Sequence, residues 1–280
     1  MHALRSLLVH IDPSPRCAVR LAIARELGRQ HDATVTALYA CAPSYLDLPF
    51  AMAEGSAGAF VALQQLDDDR RRQALALFQH ERDIAGTGVR MVWRELAGAP
   101  LLPGFAGQAL CSDLMLLGQH DADDLQTLGV APDFVASVLV ASGRPALVVP
   151  NTGSDAALDG DVLIAWKASR EAAHAVTAAL PILHRARRIH VCAANAHAGA
   201  AGPAELEAWL RLHGIEAAFE HHASVPAEMP GEGLLSLAAD VEATLLVMGC
   251  YGHSRARELV LGGASRTILR SMTLPVLMAH

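Results

Sequence analysis

The chain has 280 residues, of which 52% are hydrophobic and 18% charged, and its formal net charge at pH 7 is −7. This length and apolar content predict a globular protein of two domains. The acidic excess disfavours a nucleic-acid partner, because phosphate-backbone binding depends on dense Lys and Arg. No apolar run approaches the roughly 18 residues that span a membrane, and the short N-terminal run ends at Asp12, unlike a signal peptide. We therefore expect a cytoplasmic protein without a membrane partner.

The first half alternates short apolar runs with amphipathic stretches, which predicts alternating strands and helices. The predicted strands are residues 7–11, 34–39, 89–95, 113–118 and 146–150. The predicted helices lie near residues 15–30, 61–84 and 104–111.

The second half repeats this order. An apolar run, a small-residue turn and an Ala-rich helix open both halves, and a proline precedes the last apolar run of each (Pro145 and Pro275). The predicted strands are residues 162–166, 188–193, 215–220, 244–249 and 276–279. The predicted helices are near residues 170–185, 203–213, 230–240 and 264–271.

Alternation of continuous apolar strands with helices predicts an α/β fold whose parallel sheet is buried on both faces. Each half is expected to form a three-layer domain with a five-stranded parallel sheet. The domains are predicted at residues 1–150 and 161–280, joined by a polar linker at residues 151–160. In such sheets ligands bind at the carboxyl ends of the strands, so the turn after the first strand and the loop after the fourth are the candidate sites.

The second half carries a glycine-rich loop in the latter position. Gly249 is followed after two residues by Gly252, and after nine more by Gly262 and Gly263. The loop follows an apolar strand and precedes a helix that contains Ser265. Glycines allow close approach of the backbone, and N–H groups at a helix start bind anions. The pattern therefore favours an anion site, although the same glycines would also suit a simple strand-to-helix turn.

This glycine spacing resembles the nucleotide loop of universal stress proteins. The openings Asp12-Pro13-Ser14 and Trp166-Lys167-Ala168-Ser169 are similar to the first strand and turn of that family, and the segments after Gly143 and Leu274 to its last strand. The resemblance covers nearly the whole chain, once in each half. It identifies the chain as a tandem member of the family.

The resemblance implies Rossmann-like domains that pair through their last strands, so the two halves would form a pseudo-dimer within one chain, and a homodimer is a further option. It also implies a role in stress tolerance, an unidentified protein partner, and ATP or a related adenine nucleotide in the second half, with Mg²⁺ only alongside the nucleotide. The residues carried over to this site are Lys167, Gly249, Gly252, His253, Gly262, Gly263 and Ser265, with Asp12 as a remnant in the first half.

Each half departs from the nucleotide-binding pattern. The first half keeps Asp12, but Gly118 is followed by an acidic stretch, residues 119–124, without a second glycine at the required spacing. Carboxylates there would repel phosphates. The second half keeps the glycines, but Lys167 replaces the aspartate, and an ammonium group only donates hydrogen bonds. Gly263 also stands where the family has Ser or Thr.

Other chemistry has weaker support. The five cysteines are scattered without a CxxC pair, and the histidines, including His120 and the pair His221-His222, form no recognisable ligand motif. We expect no metal site and no catalytic residues. Cys250 would be redox-sensitive only if Lys167 lowered its pKa.

These features predict a non-enzymatic universal stress protein regulated by a nucleotide in its second half. Two alternatives stay open: a partner-binding stress protein without a nucleotide site, and a weak ATP-hydrolysing enzyme on the same scaffold.

Overall fold

The computed structural model describes residues 4–44, 57–86, 88–96, 100–121, 123–124, 129–152, 158–193, 201–226, 228–250 and 263–280. Contacts divide the chain into two compact units. One contains residues 5–142, and the other contains residues 143–280 together with residues 1–4.

The unit of residues 5–142 alternates strands with helices. Its elements are β1 (Ser6–Ile11), α1 (Arg16–His31), β2 (Thr34–Tyr39), α2 (Ala57–Ala85), β3 (Met91–Glu95), α3 (Leu101–Ala109), β4 (Leu114–Gly118) and α4 (Phe134–Ser142). The strands are parallel in the order β3-β2-β1-β4. Because β1 and β4 lie side by side inside the sheet, almost all their residues are buried.

Six strands lie in the described part of the second unit. Its elements are β5 (Ala146–Val149), β6 (Asp161–Trp166), α5 (Arg170–Leu183), β7 (Arg188–Ala193), α6 (Pro203–Leu212), β8 (Ala218–His222), α7 (Pro230–Asp240), β9 (Ala243–Gly249), α8 (Gly263–Ser271) and β10 (Val276–Ala279). The strand order is β5-β10-β9-β6-β7-β8.

Strand β5, the last strand of the first sequence half, lies in the second unit. It pairs antiparallel with β10, with Leu147 opposite Leu277, whereas β10-β9, β9-β6, β6-β7 and β7-β8 are parallel pairs. All eight residues of the two strands are buried. The predicted α/β fold is confirmed, and so is pairing between the last strands of the two halves.

Local sequence accounts for many element ends. Proline is the first residue of α6 and of α7, where its missing N–H group is not needed. Ser169 precedes α5, and its side chain accepts a hydrogen bond from the N–H of Ala172 at 3.2 Å, a typical N-cap. After α1, Asp32 has φ 52°, the left-handed conformation that ends many helices.

One helix was missed in the sequence, and the bounds of several elements differ from the prediction. Helix α4 was not predicted, because residues 134–142 are a short apolar run whose period fits a strand as well as a helix. Strand β8 was expected at residues 215–220 but spans Ala218–His222. It begins later than expected because the N–H of Ile215 bonds the carbonyl of Leu210 at the end of α6.

Among the described residues, no helix is both long enough and apolar enough to cross a membrane.

Candidate functional site

The first candidate site lies at the carboxyl ends of β1 and β4. A small cavity opens there between the residues that follow the two strands and the start of α4. It is lined by His10, Asp12, Gly118, Gln119, His120 and residues of the segment 130–135. This is the edge of the sheet at which the fold places ligands.

Asp12 is buried, and most of its hydrogen-bonding capacity is used within the chain. The guanidinium of Arg20, also buried, donates from Nη2 to Asp12 Oδ2 at 2.5 Å. Ser14 donates to Asp12 Oδ1 from its backbone N–H at 2.9 Å and from its hydroxyl. Burial alone would raise the pKa of Asp12, but Arg20, His10 and these hydrogen bonds lower it. The carboxylate stays charged and is neutralised by an internal cation.

Arg20 reaches Asp12 by crossing the space beside Gly118. A Cβ atom on Gly118 would lie 1.9 Å from Arg20 Nη1, so only glycine fits at the end of β4 while the arginine holds this position. Arg20 therefore fills part of the crevice that a ligand of Asp12 would need.

His10 forms the inner wall of the same cavity. Its Nε2 lies 2.9 Å from the carbonyl oxygen of Ala40, which only accepts hydrogen bonds, so Nε2 carries the proton of the neutral ring. The ring packs against Phe105 and Phe134, with centroids 5.5 and 4.7 Å away. Burial in these aromatic surroundings lowers the pKa of His10 to about 4, although Asp12 acts in the opposite direction. His10 is therefore neutral at pH 7.

The second candidate site lies at the carboxyl ends of β6 and β9. These strands are neighbours, with Ala165 opposite Met248, so Lys167, just after β6, and Gly249, the last residue of β9, lie at the same edge of the sheet. Lys167 is exposed. Gly249 is in close contact with the start of α5: a Cβ atom there would lie 2.5 Å from the Ala172 nitrogen. The glycine thus has a packing role at the strand end.

A buried carboxylate, Glu171, stands in the first turn of α5 beside this strand end. Burial alone would raise its pKa, but hydrogen bonds from Arg170 (2.5 Å), its own N–H and Ser169 outweigh it and lower the pKa. Cys250 is buried, its thiol donates to the carbonyl of Ala279 at 3.3 Å, and burial together with the charge of Glu171 raises its pKa to about 12. The hypothesis that Lys167 activates Cys250 is therefore wrong.

The glycine loop itself is only partly described. Gly252, His253 and Gly262 lie outside the described residues. Gly263 is the first residue of α8, where a Cβ atom would meet nothing within 4 Å, and Ser265 is buried in the first turn of that helix. The structure thus describes four of the predicted second-half positions: Lys167, Gly249, Gly263 and Ser265.

Comparison with known proteins agrees with this arrangement. The sequence profile described as "Universal stress protein family" matches residues 160–280, which contain both strand ends of the second site and the glycine loop. The second half is a universal stress protein domain. No curated protein matches the chain at a significant level of sequence similarity.

Solved structures extend the likeness in fold to both halves. A universal stress protein from Archaeoglobus fulgidus DSM 4304 matches with a TM-score of 0.70 at 16% identity, covering 98% of this chain and 95% of that one. A putative universal stress protein from Pseudomonas aeruginosa UCBPP-PA14 matches with a TM-score of 0.59 at 17% identity, covering 99% and 93%. The family prediction is confirmed for the second half, and the first half shares its fold.

Three residues that shape the two sites were missed in the sequence. Arg20 and Glu171 lie in Ala-rich helix starts, where a charged residue is normally exposed, and His10 lies inside an apolar strand. The available signal was their position: Arg20 falls on the apolar face of α1 with Cys17, Leu21 and Ala24. A charge on a buried helix face requires a partner, and Asp12, just after the preceding strand, was one acidic candidate.

Proposed function

We propose that this protein is a non-enzymatic stress protein of the cytoplasm whose second half binds an adenine nucleotide and thereby regulates binding to a protein partner. The observation that carries the proposal is the edge of the second-unit sheet, where the exposed Lys167 follows β6 and Gly249 ends the adjacent strand β9. The chain's only lysine would attract phosphate at this edge. The glycine loop and the start of α8 would supply backbone N–H groups.

The first half is not proposed as a nucleotide site. Asp12 is already bonded to Arg20 and Ser14, so it has little capacity to bind the hydroxyl groups of a sugar. Asp121, Asp123 and Asp124 follow β4, and negative charge at this end of the sheet would repel phosphates. A nucleotide would have to break a buried ion pair to enter, which costs several kcal/mol, roughly 3–5 when one partner is left unpaired.

One observation favours the second candidate, a partner-binding protein without a nucleotide. Glu171 is a buried carboxylate beside the end of β9, where its charge reaches Cys250. Arg170, its ion-pair partner, is largely exposed. Repulsion between Glu171 and a phosphate group would weaken binding at this edge, so the affinity of the site decides between the two functions.

Calorimetric titration of the whole chain with ATP, ADP and AMP, with and without Mg²⁺, tests the proposal. We expect one site per chain, and we expect Lys167→Glu to weaken binding at least tenfold through charge reversal. Arg72→Glu makes the same charge change on the exposed surface of α2, where Arg72 pairs with Asp69, and should leave the affinity unchanged.

Absence of heat at millimolar nucleotide would overturn nucleotide binding and leave the partner-binding function. Equal losses in Lys167→Glu and Arg72→Glu would place the nucleotide elsewhere. Steady ATP turnover that Gly252→Val abolishes would contradict the non-enzymatic part of the proposal.

A further inference from the structure

Three potential metal ligands share one face of the outer strands of the second unit. His190 in β7 lies opposite Glu220 in β8, and His222 follows two residues later. Because side chains alternate between the faces of a strand, these three project to the same side. The intervening His221 projects to the other side, where its Nε2 lies 3.0 Å from Oε2 of Glu207 in α6.

The distances between the donor atoms fit a small metal ion. His190 Nδ1 lies 2.9 Å from His222 Nε2 and 3.4 Å from Glu220 Oε2, and one ligand atom from each residue falls within 4.8 Å of the others. Zinc bonds of about 2.0–2.1 Å in tetrahedral geometry place neighbouring ligands roughly 3.3 Å apart. The distance between His190 Nδ1 and Glu220 Oε2 already has this value. The two imidazole nitrogens would need to separate by a few tenths of an ångström.

The charge of Glu220 and the protonation of the two imidazoles also suit a bound cation. The contact between the two imidazole nitrogens accommodates a single proton, since one nitrogen must donate and the other accept. A divalent cation can take the place of that proton. Arg188 bonds only Oε1 of Glu220, at 2.7 Å, so Oε2 remains directed at His190.

An outer carboxylate stands behind the buried histidine. Asp161 Oδ2 lies 3.6 Å from His190 Nε2, a buried nitrogen without a hydrogen-bond partner among the described residues. Metal-binding histidines usually direct their second ring nitrogen to a carboxylate, which fixes the ring and makes it a better ligand. A proton on Nε2 would face Asp161 and leave the lone pair of Nδ1 for the metal.

We propose that His190, Glu220 and His222 form a binding site for a divalent transition-metal ion of the zinc class. Two imidazoles and one carboxylate suit zinc, whereas calcium and magnesium prefer oxygen ligands alone. Three protein ligands leave the fourth position to water, so the ion would exchange with solution. The ion would link β8, the last strand of the order, to β7 and stabilise that end of the sheet.

Zinc titration of the untagged whole chain, followed by calorimetry and thermal unfolding, tests this site without nucleotide and so independently of the proposed function. We expect one ion per chain at micromolar zinc and a higher unfolding temperature. His222→Ala and Glu220→Gln should each lower the zinc affinity at least tenfold. Both side chains are partly exposed, so the variants are expected to fold, which circular dichroism checks.

His221→Ala is the matched control, because the chain has 14 histidines that could bind zinc weakly at the surface. It removes the neighbouring imidazole on the opposite face and should retain the full zinc affinity. Equal losses in His221→Ala and His222→Ala would overturn the proposal, as would absence of stoichiometric binding by the unmodified chain at micromolar zinc.

Discussion

At the level of single residues, the main feature of the first half is a buried ion pair at the end of β1. Arg20 and Asp12 are both shielded from water, and the arginine occupies space that the fold normally leaves to a ligand. Burial of two charges is costly unless they are paired and hydrogen-bonded, and here Ser14 supplies the additional donors. An internal cation thus neutralises Asp12 within the folded chain.

The buried histidine beside this pair predicts a pH dependence of stability. Because the pKa of His10 falls from its ordinary 6.5 to about 4 in the folded state, the unfolded state binds more protons between these values. Stability is therefore lost as the pH falls from 6.5 towards 4, by up to about 3 kcal/mol from this residue. Urea unfolding of His10→Gln at several pH values should show a correspondingly flatter dependence.

His184→Gln provides the control, because His184 is exposed. Its stability should follow the same pH dependence as the unmodified chain. Asp12 acts at lower pH: its lowered pKa contributes stability that is lost only below the ordinary aspartate value. An unchanged slope in His10→Gln between pH 4 and 6.5 would contradict the role assigned to His10.

At the level of elements, the end of β9 is fixed by close packing on α5. A Cβ atom at Gly249 would lie 2.5 Å from the backbone nitrogen of Ala172, and backbone atoms cannot move aside as a flexible side chain does. Gly249→Ala should therefore lower the free energy of unfolding by about 1–3 kcal/mol. Chemical denaturation measures this change.

Gly263→Ala makes the same substitution at the start of α8, where a Cβ atom meets nothing within 4 Å. It should be neutral or stabilising by up to about 1 kcal/mol, because alanine restricts the unfolded chain more than glycine does. If both variants lost the same stability, the contact between Gly249 and α5 would not be the cause.

Helix α2 forms some ion pairs that helical spacing predicts and one with a residue that is distant in the sequence. The run of residues 67–72 predicts ion pairs three residues apart, and Asp67 pairs with Arg70 and Asp69 with Arg72 as expected. Arg71 instead pairs with Glu95 at the end of β3, with its Nε 2.7 Å from Glu95 Oε2. Local spacing could not include this contact, since Glu95 is remote in sequence.

At the level of the whole molecule, β5 belongs to the first half of the sequence repeat but lies in the unit of residues 143–280. The boundary between the two compact units falls after Ser142, before β5, whereas the first half of the sequence repeat extends to residue 150. The antiparallel pair with β10 buries all four residues of β5. The domain boundaries expected from the sequence stay a prediction.

This assignment predicts which part of the chain each buried leucine stabilises. Leu147→Ala in β5 should accelerate amide hydrogen exchange within residues 143–280, because it removes buried contacts with Leu277. Leu7→Ala in β1, at an equally buried site, should accelerate exchange within residues 5–142. Each truncation is expected to cost roughly 2–5 kcal/mol.

Hydrogen exchange read by mass spectrometry distinguishes the two patterns peptide by peptide. Faster exchange of β1 and β4 in Leu147→Ala, with β9 and β10 unchanged, would show that β5 belongs energetically with the first half.

The sequence by itself determined the alternation of strands and helices, the duplication and the family of the second half, because these depend on local apolar periodicity and short motifs such as Gly249-x-x-Gly252. Tertiary structure decided which charges meet. Arg20 reaches Asp12 across a crevice, and His190 meets Glu220 and His222 across two strands. Such contacts depend on register and on helix placement, which single-chain spacing does not encode. The physical reason is that a side chain's partner is fixed by packing in three dimensions, whereas its tendency to form a strand or helix is fixed largely by its neighbours in the chain.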